Sequence, residues 1–163
     1  MSYHCVCCGQ VHDGLPAIVA DKPDLYFDIP EEEREQRVRL SADTCVIDDE
    51  HYFIRSVLAI PIRGQAETLD FGVWVSQKKE HFEQYLAYPD SADIGPFFGW
   101  FSTHIGLFAP TLNLKSMAHF QGGKLRPRIE LEPTRHPLAV AQRKGITLNY
   151  AWRIAHEYVD LDA

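Results

Sequence analysis

The glycine pair Gly122-Gly123 constrains the fold of this chain more than any other feature. Both positions accept positive φ at no steric cost, which is what a two-residue turn between antiparallel strands demands. Pairing outward from that turn sets Phe120 against Leu125, Ala118 against Pro127, Ser116 against Ile129 and Leu114 against Leu131, a largely apolar face. The same register sets His119 against Arg126, Met117 against Arg128, Lys115 against Glu130 and Asn113 against Glu132. Lys115 and Glu130 then carry opposite charges across the ladder. One register serves both faces, so the reading is a hairpin with one side in the core.

The same logic finds partners for this hairpin upstream. Thr44 to Ile47 and His51 to Arg55 are β-branched and aromatic runs on either side of Asp48-Asp49-Glu50, a second hairpin whose outgoing strand continues towards Ile62. Pro61 removes a ladder donor and places that end at an edge or a bulge. Leu69, Phe71, Val73 and Val75 alternate with polar or small residues and predict a third strand. Helices are predicted from Pro30 to Val38, from Gln77 to about Tyr88, as a short turn after Pro137 stopped by Gly145, and from a Thr147 cap onward. In the last of these Leu148, Ala151, Trp152, Ala155, Tyr158 and Val159 recur at helical spacing.

Residues 1–29 carry cysteines, histidines, Gly9, Gly14, Pro16 and Pro23 with little periodicity, and read as a loop-rich lobe packed on the sheet. Consecutive strands are joined by segments too short for parallel crossovers. The expected class is therefore α+β: a mainly antiparallel sheet, two or three helices over one face, and the N-terminal Cys lobe. A length of 163 residues suits a single domain over 1–163.

Sixteen Lys and Arg against twenty-three Asp and Glu leave a net charge of −7, which argues against nucleic acid or an anionic membrane as partner and favours a basic protein. No apolar run is long enough to span a membrane, and Met1-Ser2-Tyr3-His4-Cys5 shows no secretory signal, so the expected compartment is the cytoplasm. Cysteines at 5, 7, 8 and 45 make a poor disulfide framework there.

Cys5-Val6-Cys7-Cys8-Gly9 instead has the spacing of a metal knuckle. Thiolates three positions apart converge on one ion, and the glycine lets the chain turn back beneath them. A closed site needs four ligands, and a second Cys-x-x-Cys is absent from the sequence. Cys45 and His12 are the best remaining candidates, ahead of Cys7, His4 and His51, and sulfur-rich tetrahedral ligation points to structural zinc. The opposing reading makes Cys5 and Cys8 thiols in a tight turn and Cys45 an ordinary buried strand residue.

No other group competes. Ser102 and His104 lie close in sequence, but no nucleophile elbow frames them. His136 reads as a loop residue, Asp48, Asp49 and Glu50 as a solvated turn, Trp74 and Trp152 as core, and Trp100 as core in preference to a rim aromatic at a binding groove.

Cys5-x-x-Cys8-Gly9-x-x-His12-x-Gly14-Leu15-Pro16, Asp43-x-Cys45-Val46-Ile47-Asp48 with Tyr52-Phe53-Ile54-Arg55, Phe71-Gly72-Val73-Trp74-Val75-Ser76, and Leu131-Glu132-Pro133-Thr134-x-His136-Pro137 with Gln142-x-x-Gly145-Ile146 resemble an uncharacterised bacterial family, domain of unknown function 2199. The resemblance implies a cytoplasmic bacterial protein, with Cys5, Cys8 and Cys45 on the cysteine positions of the pattern and Cys7 an extra one. It implies no activity.

Two classes of function follow. In the first, the chain is a non-catalytic protein-binding domain whose zinc ties the N-terminal lobe to the hairpin at Cys45; toxin neutralisation is one version. In the second it is a zinc-dependent hydrolase, with Cys5, Cys8 and either Cys45 or His12 as ligands, water in the fourth place, and Asp48 or Glu50 as base.

Overall fold

A computed structural model describes residues 3–5 and 8–158. In chain order it contains β1 (Tyr3–His4), β2 (Val11–His12), β3 (Ile18–Val19), α1 (Asp24–Asp28), a 3-10 turn (Glu31–Glu33), α2 (Arg34–Arg37), β4 (Val38–Leu40), β5 (Thr44–Ile47), β6 (His51–Pro61), β7 (Thr68–Gln77), α3 (Lys79–Ala87), β8 (Phe97–Trp100), β9 (Lys115–His119), β10 (Arg128–Leu131), α4 (Pro137–Lys144) and α5 (Leu148–Tyr158). The first 29 positions are thus shared among a small hairpin, a sheet strand and a helix. Val159, at the end of the predicted stripe, and Cys7 lie outside the described residues.

An eight-stranded sheet organises the chain, with the path β3-β7-β6-β10-β9-β8 and β5 and β4 branching from β6. It is mixed rather than mainly antiparallel: β3 pairs parallel with β7, and β10 pairs parallel with β6. The short connections do make antiparallel neighbours, as β5–β6 and β6–β7 show. The parallel pairs join strands far apart in sequence, which an argument from consecutive connections does not reach.

β6 is the axis of this arrangement. One edge pairs with β7 from Tyr52↔Gln77 to Pro61↔Thr68, while the other is divided between β5 and β10. Beyond β8, Phe101 bridges to Val75 of β7, and the Ser102 N–H donates to the Trp74 carbonyl at 2.8 Å. The segment after β8 therefore returns to β7, and the sheet curls around the core. Gly99 allows this: a Cβ there would sit 2.5 Å from the Ser76 carbonyl oxygen and 2.7 Å from Gln77 Nε2.

Strict alternation divides the buried side chains. Ile54, Leu58 and Ile60 of β6, with Val73 and Val75 of β7, face the main core, to which α3, α4 and α5 add Phe82, Leu138 and Ile154. On the opposite face Cys45, Ile47, Phe53 and Trp74 form a second cluster with Ile29, covered by Leu25 and Tyr26 of α1. Helices consequently pack on both faces rather than one.

The late hairpin differs from its predicted register by two residues. Ala118 pairs with Ile129 and Ser116 with Leu131. The turn centres on Gly123 and Lys124, both at positive φ, and the Leu125 N–H donates to the Gly122 carbonyl. Gly122 is needed for another contact: a Cβ on it would lie 2.7 Å from the Asp90 carbonyl oxygen. A slip of two leaves each side chain on its predicted face, so the apolar pattern does not distinguish the two registers.

Candidate metal centre

The antiparallel pair β1–β2 positions the N-terminal knuckle. Tyr3 stands opposite His12 and His4 opposite Val11, and the Cys5 N–H donates to the Gln10 carbonyl at 2.8 Å. Gly9, at φ 75°, turns the chain so that its N–H donates to the Cys5 carbonyl at 2.8 Å. This loop carries Cys5 and Cys8 towards one side, and the returning strand places His12 beside them.

The fourth group arrives from the other end of the chain. Helix α5 is capped by the Thr147 hydroxyl, which accepts from the Tyr150 N–H at 3.1 Å. It buries Ala151 and Ile154 in the main core and packs Trp152 and Ala155 against Cys5. Trp152 stacks on the His12 ring at 4.6 Å and an interplanar angle of 22°. His156 lies one turn beyond Trp152, on the same side of the helix.

Cys5 Sγ is 3.2 Å from His156 Nε2, and Cys8 Sγ is 3.2 Å from His12 Nε2. One donor atom from each of the four residues lies within 4.8 Å of every other. With metal–sulfur bonds of about 2.3 Å and metal–nitrogen bonds of about 2.0 Å, a tetrahedron has edges of about 3.3–3.8 Å. Small side-chain adjustments therefore close this group around an ion, and it could hold one. Cys5 has no exposed surface, while Cys8, His12 and His156 are half-buried. The stacked indole and Ala155 give the group an apolar wall that orients a ring and limits water.

The structure thus brings together Cys5, Cys8 and His12 of the residues singled out in the sequence, and adds His156. The predicted zinc tie to the Cys45 hairpin is not what the fold builds: Cys45 belongs to the second core cluster, opposite Phe53 on β6. It is not in the Cys5, Cys8, His12 and His156 group, and burial pushes its thiol up to about 11. His51 stacks near Phe53 on exposed surface, and no side-chain position is described for His4.

His156 had a faint signal in the sequence. It follows a buried tryptophan by four residues on an amphipathic helix, which puts a metal-competent side chain at the border of the apolar stripe. Nothing local in the sequence links that border to a loop at the other terminus.

Other polar groups singled out in the sequence are engaged in structure. Asp48 accepts two hydrogen bonds from Arg37, at 2.8 and 2.9 Å, which hold its carboxyl below the usual carboxylate range. The Ser102 hydroxyl donates to the Trp100 carbonyl, and Thr103 Oγ1 accepts from the Trp74 N–H. His136 caps α4 by accepting from the Leu138 N–H at Nδ1, with Nε2 against the Ala109 and Pro110 carbonyls. Trp74 and Trp152 are core as expected, whereas Trp100 is 43% exposed and meets Phe98 edge to face.

Residues 4–146 match the model of a family described as an uncharacterized protein conserved in bacteria, DUF2199. The chain belongs to this family. In this DUF2199 protein Cys5, Cys8 and His12 fall inside the matched segment, whereas His156 follows it. No curated protein and no solved structure matches the chain. No helix of the described residues is long and apolar enough to cross a membrane.

Proposed function

We propose that Cys5, Cys8, His12 and His156 hold one structural zinc ion, and that this DUF2199 protein is a non-catalytic domain that binds another protein. The observation that carries the reading is the convergence of two sulfurs and two imidazole nitrogens within 4.8 Å. Such a donor set suits zinc, and four protein ligands leave no position for an activated water. The ion clips α5 to the β1–β2 hairpin and closes nearly the whole chain into one loop, where a cross-link has most entropy to remove.

A binding role is supported by the −7 charge, which favours a basic partner, and by the exposed Phe98–Trp100 pair on β8. Neutralisation of a basic toxin is one form of it.

Elemental analysis of protein purified without chelators tests the metal. One zinc per chain is expected, lost in Cys5→Ser and His156→Ala and retained in Cys45→Ser. Protein free of zinc that gains no stability when zinc is added overturns the reading. For the binding role, affinity purification from the native host is expected to return a basic protein. Turnover of a small substrate by the zinc-loaded protein, with no partner captured, overturns it.

A further inference from the structure

The parallel contact between β6 and β10 is brief. It consists of Arg128↔Val57, next to a hydrogen bond from the Val57 N–H to the Pro127 carbonyl at 2.9 Å, after which the strands part. Gln142 of α4 fills the role of the missing strand. Its Oε1 accepts from the Leu131 N–H at 2.8 Å and its Nε2 donates to the Ile129 carbonyl at 2.7 Å. Outside this seam lies a cleft of about 510 Å³, floored by Val57 and Ala59 and walled by His119, Arg128, Glu130 and Arg143. That volume falls within the range of small-molecule sites, about 300–1,000 Å³.

Charge in the cleft runs against that of the chain. Arg37, Arg39, Arg55 and Arg126 each have a carboxylate partner. Arg128 and Arg143 have none among the described residues, although Glu130 lines the same cleft. Arg143 is nonetheless anchored, donating to the Thr134 carbonyl at 2.8 Å. His119 stands directly across the ladder from Arg128. Its Nε2 is sealed from solvent without a hydrogen-bond partner, and the nearest carboxylate oxygen, on Glu130, is 3.9 Å away. Two arginines without a carboxylate partner among the described residues thus line one small cleft with an apolar floor in a protein of net charge −7. An oxyanion there would pair with both guanidiniums.

We propose that this cleft is a binding site for a small organic anion, with its carboxylate or phosphate head between Arg128 and Arg143 and a short apolar stem on Val57 and Ala59. Glu130 at the wall excludes a second negative charge on that side and accepts from a hydroxyl or ammonium group. The site is independent of the metal centre, and none of its residues is a metal-binding candidate.

Titration of the protein as purified with inorganic phosphate, butyrate and chloride tests this, read by amide and histidine shifts in NMR spectra. Saturable shifts confined to the cleft residues and His119 are expected with phosphate, butyrate or both, and the stronger of the two identifies the head group. Arg128→Gln and Arg143→Gln should each weaken binding about tenfold or more, as loss of a charge-assisted hydrogen bond does. Arg135→Gln removes an equally unpartnered arginine outside the cleft and should change binding less than about twofold. The proposal fails if chloride matches both anions, if neither saturates, or if Arg135→Gln weakens binding as much as the cleft variants.

Discussion

Cys5 and His156 stand 151 positions apart in the chain and meet at 3.2 Å through Sγ and Nε2. The contact joins a hairpin too small to be stable alone to a helix already anchored in the main core by Ala151 and Ile154. Occupation of the metal centre is therefore expected to stabilise the whole fold. A ligand present at one hundred times its dissociation constant adds about 2.7 kcal/mol. Thermal unfolding of the wild type with zinc and with chelator should differ by an amount of that order. His156→Ala, which keeps Cys5, Cys8 and His12, should remove most of the difference. A melting temperature indifferent to zinc in the wild type would contradict the assignment.

Cys45 answers a different question, because it has the thiol of Cys5 and Cys8 but not their surroundings. Enclosed by Ile47, Phe53 and Trp74, with its thiol held up to about 11, it is expected to resist alkylation at pH 8 in the folded protein and to react on unfolding. Cys45→Ala should cost about 1–2 kcal/mol through the small cavity it leaves, with metal content unchanged. The pH dependence follows in sign. The folded state keeps this proton after the unfolded chain has lost it, so stability falls as pH rises from about 9 through about 11. Denaturation midpoints across that range, compared with Cys45→Ala, isolate the contribution.

The parts of the fold legible in the sequence are those in which local pattern and tertiary burial agree. Alternation in 44–55 and 69–76 specifies β5, β6 and β7, because side chains on successive residues enter opposite clusters, and the acidic turn at 48–50 fixes the register of β5 on β6. Agreement ends where a choice is decided by remote backbone. The Gly122 turn shifts by one residue because the chain near Asp90 lies against it, and the parallel β3–β7 pair depends on strands that no short connection joins. The metal centre divides in the same way. Cys5, Cys8 and His12 belong to one local motif, whereas His156 joins them through the packing of α5, and the burial of Cys45 reflects its strand rather than a ligand role.

The Arg37–Asp48 pair ties the end of α2 to the β5–β6 turn, in which Asp48 and Asp49 both adopt positive φ. The guanidinium lowers the Asp48 carboxyl pKa in the folded state. Its contribution is thus complete above the ordinary carboxylate range of the unfolded chain and disappears as pH falls through the folded-state value. Arg37→Gln is expected to lower the urea midpoint modestly near pH 7, the pair being solvent-facing, and to leave it unchanged once Asp48 is protonated. Urea titrations of both proteins between pH 7 and pH 2 measure this. A midpoint difference that persists to the acid end would assign the effect of Arg37 to packing instead.

Closure of the sheet rests on the approach of β8 to β7, and Gly99 is the residue that permits it. The Trp100 N–H donates to Ser76 Oγ at 3.2 Å and Gln77 Nε2 donates to the Phe98 carbonyl at 3.1 Å, so the two backbones are bound together on either side of Gly99. Gly99 itself has ordinary dihedrals, so its role is space and not conformational freedom. The Gln77 side chain can move aside from an added methyl group, but the Ser76 carbonyl oxygen, the nearest atom, is main chain and cannot. Gly99→Ala is therefore expected to cost about 1–3 kcal/mol or more by overpacking. It should also free the Ser102 amide, which donates to the Trp74 carbonyl, and the Trp74 amide, which donates to Thr103 Oγ1, and hydrogen–deuterium exchange would detect faster exchange at both. Gly123→Ala, where nothing lies within 4 Å of the added carbon, strains only its own turn and should leave those amides protected.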